Sequence, residues 1–415
     1  MSTCARTRMP IQQAVSMKKE SLRFEHVMGI ALAGFALVGR WTPARVANNA
    51  STPSILYEPR LWMLFTSSML FFILLTYVGS RSYRRPDISP VYSKSFFIWL
   101  VFWGYLLLSS TWSPSEILAR DKAYELLLVC LFQALIFSYG QLFRMKHLVM
   151  GFCVGCLAVT VPMAIMGVLS PGQIRTGGLL GGGPNVFGRL MLYLTICSFY
   201  LLIEKKNNML MKLIFVGLSL LGGLLVVLSG SRGALLSQVA SLMVFFTLLR
   251  TSLSKRFFII VMLGCIALVF LETTEMGASV VETFTERIIH TTIENRHLAG
   301  REYLYETALD YGNEQMIFGN GLNSFRDLQG IYPHNILLEI YCETGLVGLS
   351  LFIIALSVTA YTCLHRIRTI NPLMVSLWVG IFVASNFSGD LFDSRMVFIL
   401  VPMLSYDDEY SNKLE

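Results

Sequence analysis

The residues with chemistry to offer are few, and they sit at the edges of apolar segments. His334 follows Pro333 at the mouth of the run "YPHNILLEIYCETGLVG" (332–348), with Asn335 beside it and Glu339 and Glu343 inside it. Histidine has an unperturbed pKa of about 6.5, so near neutral pH it can take a proton from an attacking hydroxyl. Capping the helix or donating to a phosphate are the other uses of that position. Glu339 and Glu343 are four apart and share a helix face. They are expected to set the histidine's tautomer or to pair with arginines, and Asn335 to orient a neighbour.

Three arginines could hold an anion. Arg232 lies in the tight turn "SGSRGA" (229–234) between two apolar runs. A fixed guanidinium beside the N–H groups of a helix start makes an anion pocket; an arginine reaching to lipid headgroups is the alternative. Arg189 follows "GGGPNVFG" just inside an apolar run, where charge is rare and usually faces a cavity, and Asn185 supplies an amide nearby. Arg301 follows Gly300 at a helix start, with Arg296 and His297 before it, and a cation there opposes the helix dipole unless an anion is also present. His290, His297 and His334 share one polar region without zinc or calcium spacing, and no phosphate-binding glycine loop is present. No metal, cofactor or nucleic-acid partner is expected.

The elements that must position these residues are apolar. The 415 residues are 54% hydrophobic and only 14% charged, against about 25% charged in a soluble domain. Candidate spans are 24–41, 61–79, 94–112, 123–142, 147–169, 184–203, 211–230, 233–251, 256–272, 335–363, 372–388 and 394–406. The expected fold is an all-α polytopic membrane protein, one integral membrane domain over 1–415, with about twelve transmembrane helices. Residues 1–23 are polar and basic, unlike a cleaved leader.

With the N-terminus inside, 20 of the 33 basic residues fall in short inner loops and the C-terminus returns to the same side. The remaining thirteen are twelve arginines and Lys122, a bias toward planar guanidinium that suits phosphate or carboxylate. The polar material gathers outside. Residues 273–333 form one large loop between spans nine and ten, with an amphipathic helix over 300–315 and a glycine-rich turn over 317–325. A second outer loop, 170–188, is dense in glycine. Most of the eight cysteines lie in apolar runs; Cys153 and Cys156 spell CxxC inside one and read as packing sulfur.

Taken together, these segments resemble the O-antigen ligase/polymerase superfamily. The resemblance rests on "LSGSRGALLS" (228–237), "AGREYLYETALDYG" leading to "FGNGLNSF" (299–325), and "HNILLEIYCETGLVGL" (334–349) in that order. "GGPNVFGRLM" (182–191) and "SSTWSPS" (109–115) add to it, and Tyr305 stands where another aromatic, often tryptophan, is expected. The resemblance implies a glycosyltransferase of the Gram-negative inner membrane with cytoplasmic termini and a periplasmic active site. Its donor would be a glycan on undecaprenyl diphosphate, and its acceptor the lipid A–core oligosaccharide. Arg232, Arg301, Arg189, Asn185 and Arg296 would hold the diphosphate, and His334 would be the catalytic histidine. Compact length and one dominant outer loop favour a ligase; a polymerase extending the glycan on its carrier, or a transporter of lipid-linked glycan, are the alternatives.

Overall fold

The computed structural model describes residues 24–37, 94–139, 145–170, 183–203, 208–249, 271–286, 301–365 and 370–404, with isolated positions between them. Among these residues the chain is helical and no strand occurs. The helices are α1 (Phe24–Leu37), α2 (Lys94–Leu108), α3 (Glu116–Tyr139), α4 (Met145–Leu169), α5 (Gly183–Ile203), α6 (Met209–Leu228) and α7 (Arg232–Leu248). They continue with α8 (Glu275–Phe284), α9 (Glu302–Glu314), α10 (Ser324–Gln329), α11 (Ile336–His365), α12 (Pro372–Ser385) and α13 (Arg395–Met403). A 3-10 turn, Ser109–Trp112, follows α2.

Among the described residues, five segments are long and apolar enough to cross a membrane: Ser95–Trp112, α4, α5, α6 and α11, while α1, α7 and α12 are shorter apolar helices. The expected spans 61–79 and 256–272 lie almost wholly outside the described residues. The expected twelfth span, 394–406, holds only a short helix among its described residues. Its helix is nine residues long and contains Pro402, so at 1.5 Å per residue it reaches only about 14 Å.

Lipid supplies no hydrophobic drive between helices, so close packing and interhelical hydrogen bonds hold them together. On α1 and α4, Gly29 and Gly151 each lie so close to the partner's backbone that a Cβ would overlap it. Where α2 meets α3, α11 and α13, an aromatic cluster forms from Trp99, Phe102, Trp103, Phe352 and Phe398. Its polar atoms are satisfied. The Trp99 indole donates to Thr359 Oγ1 (3.1 Å), the Trp103 indole to Gln133 Oε1 (2.5 Å), and Gln133 Nε2 to the Phe398 carbonyl (2.8 Å).

The expected span 335–363 is two helices. Gly345 has φ 64° and ψ −165°, so α11 breaks there into a nine-residue arm ending at Thr344 and a twenty-residue segment from Leu346. Twenty residues rise about 30 Å, the thickness of a bilayer's hydrocarbon. A break leaves backbone groups unpaired, and in lipid these must be satisfied by protein. Residues 316–321 supply the partners. Asn320 and Gly321 N–H donate to the Cys342 (3.0 Å) and Glu343 (2.8 Å) carbonyls, and Leu346 and Val347 N–H donate to Met316 (2.8 Å) and Ile317 (3.1 Å). The Tyr105 hydroxyl donates to the Thr344 carbonyl at 3.2 Å. The glycine-rich turn read from the sequence is therefore a plug for the broken helix. The expected amphipathic helix is α9, which ends two residues beyond Gly312. All six described cysteines are free thiols, Cys153 and Cys156 among them, and both are buried.

Candidate active site

Several helix ends meet at one end of the bundle. Gly183 adopts φ 72° and starts α5 with Pro184 and Asn185. Ser231 is the N-cap of α7: its hydroxyl accepts from Ala234 N–H (3.2 Å) and donates to Asn185 Oδ1 (2.5 Å). Arg232 is thereby fixed as the first residue of α7, at the positive end of that helix's dipole. Next to it Gly233 lies against Phe387, where a side chain would collide with the ring. Asn185 and Arg232 are thus brought together as neighbours of one clamp.

Arg189 is committed differently from the expectation of a free anion ligand. Its Nη2 donates to the Ala384 carbonyl (3.2 Å) and to the Ser388 carbonyl, at the C-terminal end of α12. Helix C-termini carry unpaired carbonyls and partial negative charge, which a guanidinium satisfies. Arg395 behaves the same way: buried at 2% exposure, it donates to the Phe35 (2.8 Å) and Ala36 (2.8 Å) carbonyls at the end of α1. Two of the twelve arginines expected on the outer face therefore serve helix ends.

His334 is one of two described non-glycine residues with positive φ, at 63°. It is half-buried, its Nδ1 is shielded from solvent, and its ring lies 4.5 Å from that of Tyr332. Tyr332 and Asp393 are within electrostatic reach of Arg189. The Tyr305 hydroxyl reaches the Asn386 carbonyl (3.5 Å), so α9 is tied to the same end of α12. Arg301 caps α9 one turn before Tyr305 and is half-buried. Arg296 and the two other loop histidines lie outside the described residues.

The supporting residues are the clearest departure from expectation. Asn335 caps the short arm of α11, its Oδ1 accepting from Leu337 N–H (2.9 Å) and Leu338 N–H (3.1 Å). Glu339 and Glu343 pair with Lys122 of α3 rather than with an arginine or His334. The ammonium contacts Glu339 and lies 3.2 Å from Glu343 Oε1, with all three residues no more than 4% exposed and Asp390 nearby. A cation in contact offsets the cost of burying a carboxylate. Lys122 was the residue missed, and its one available signal was being the lone lysine among the outer cations.

The described residues are those of a helical, multi-pass membrane protein, with arginines and a histidine gathered at this end of the bundle. Residues 217–353 match the family described as O-antigen ligase, which bears out the superfamily resemblance read from the motifs. The matched stretch contains Arg232, Arg301, His334, Glu339 and Glu343, and leaves Asn185 and Arg189 outside it. Comparison with curated proteins gives no match.

Proposed function

We propose that the chain is an O-antigen ligase that moves a glycan from undecaprenyl diphosphate to a hydroxyl of lipid A–core oligosaccharide on the periplasmic face of the inner membrane. The observation that supports this most is the meeting of the α7 N-terminus, carrying Arg232, with the α9 start, carrying Arg301, and the segment of His334 around the end of α12. Arg232, Arg301 and the α7 N–H groups hold the diphosphate. Arg189 positions α12 and, through Tyr332, the neighbourhood of His334.

His334 takes the proton of the acceptor hydroxyl, whose oxygen attacks the anomeric carbon of the donor. The anomeric C–O bond to the diphosphate breaks, its electron pair passes to phosphate, and the fixed guanidiniums stabilise the charge that develops. One displacement inverts the anomeric centre. The left-handed backbone at His334 fits this role: such conformations cost about 1–3 kcal/mol and concentrate at sites that need a fixed side chain.

The test uses purified protein, undecaprenyl-diphosphate-linked glycan and rough lipopolysaccharide, with EDTA and no nucleotide. Wild type is expected to place glycan on lipopolysaccharide. His334→Ala should lose this, and Arg232→Lys, which keeps charge but loses the planar fork, should lose most of it. Glycan lengthening on its carrier identifies a polymerase instead, and no transfer by folded wild type overturns the reading.

A further inference from the structure

A cleft of about 590 Å³ opens beside the plugged helix break, lined by Trp112, Pro114, Tyr311, Gln315, Phe318 and Asn320. The rings of Trp112, Tyr311 and Phe318 form part of its wall, and Trp112 is held in place. The Trp112 indole N–H donates to the Gly319 carbonyl (3.2 Å), and the Trp112 ring is 6.0 Å from that of Tyr105. Phe318 is 61% exposed. Burial raises the pKa of Tyr311, so its hydroxyl stays protonated. Gln315 is exposed at the C-cap of α9, and its side-chain amide offers a carbonyl acceptor and an NH2 donor to a ligand. Flat apolar faces interleaved with amides suit sugar rings, which present C–H faces and hydroxyl edges.

The height of the cleft in the bundle indicates which sugar. Met316 and Ile317 accept from the first residues of the twenty-residue apolar segment of α11, so the cleft lies beside the end of a helix long enough to cross a membrane. From Arg301 to Tyr311, α9 rises about 15 Å. In a lipid-diphosphate donor no sugar lies between lipid and phosphate. A sugar site beside the end of a membrane-length segment, one helix length from the phosphate-holding end, therefore fits the inner sugars of a membrane-anchored acceptor.

We propose that this cleft binds the membrane-proximal sugars of the lipid-anchored acceptor glycan while its outer hydroxyl reaches His334. The assignment of the occupant rests on the transferase reading above. Two measurements on the full chain separate the two ideas. Saturation-transfer NMR with core oligosaccharide freed from lipid should show contact with wild type, weakened in Phe318→Ser and Gln315→Ala. In the transfer assay the same variants should raise the acceptor KM about tenfold, with kcat and donor KM unchanged. Both side chains are exposed, so both variants are expected to fold; Leu328→Ser, exposed on α10 outside the cleft, is the control. An unchanged acceptor KM overturns the proposal, as does a rise in donor KM, which would make the cleft a donor subsite. If wild type transfers nothing, the NMR contact and its loss in the variants still decide for or against a glycan cleft.

Discussion

At the scale of single residues, the buried ion cluster sets a strong expectation. Lys122 sits between Glu339 and Glu343 with almost no solvent contact. Lys122→Met leaves two buried carboxylates without their cation, and removing one partner of such a pair costs about 3–5 kcal/mol. A large fall in the thermal midpoint in detergent is expected. Neutralising the partners as well, in Lys122→Met/Glu339→Gln/Glu343→Gln, should recover much of it. If the single variant melts like wild type, the cluster is not holding α3 to α11. No reading of local sequence finds this pairing, because the partners lie 217 residues apart. Arg232 was legible, since Gly-Ser-Arg-Gly between two apolar runs leaves few conformations. The true partners of Arg189 and Arg395 were not, since both are backbone carbonyls of helices distant in sequence.

At the scale of elements, the break in α11 decides where the polar residues lie relative to lipid. A glycine inside an apolar run reads as tolerated, so hydropathy merged two helices into one. The visible hint was length: the whole α11 has thirty residues, about 45 Å, more than a bilayer's hydrocarbon requires. Gly345 occupies a region of backbone space that is nearly closed to other residues. A Cβ there would also strike the backbone of Ile317 and Gly319. Gly345→Ala should therefore lower stability by about 1–3 kcal/mol. It should also raise amide exchange over 316–321 in a hydrogen-exchange measurement, as the plug loosens. Unchanged protection of that turn would show that the break does not depend on glycine.

At the scale of the molecule, the gathered helix ends predict sidedness. The turn containing Phe318 and the clamp at Ser231 belong to the end that holds the site, while Met209 starts α6 about 30 Å away. A cysteine at Phe318 should react with a membrane-impermeant maleimide in intact cells freed of their outer membrane. One at Met209 should react only after permeabilisation. Five of the six described native cysteines are buried, so wild type provides the blank. The reverse pattern would invert the orientation drawn from the distribution of lysine and arginine.

The lysine cluster also has a history in time. Lys122 is made 217 residues before Glu339, and chains lengthen at about 5–20 residues per second, so its ammonium waits roughly 10–40 s for a counter-charge. Lys122 is the seventh residue of α3, near one end, where a long side chain can still reach water until the later carboxylates arrive.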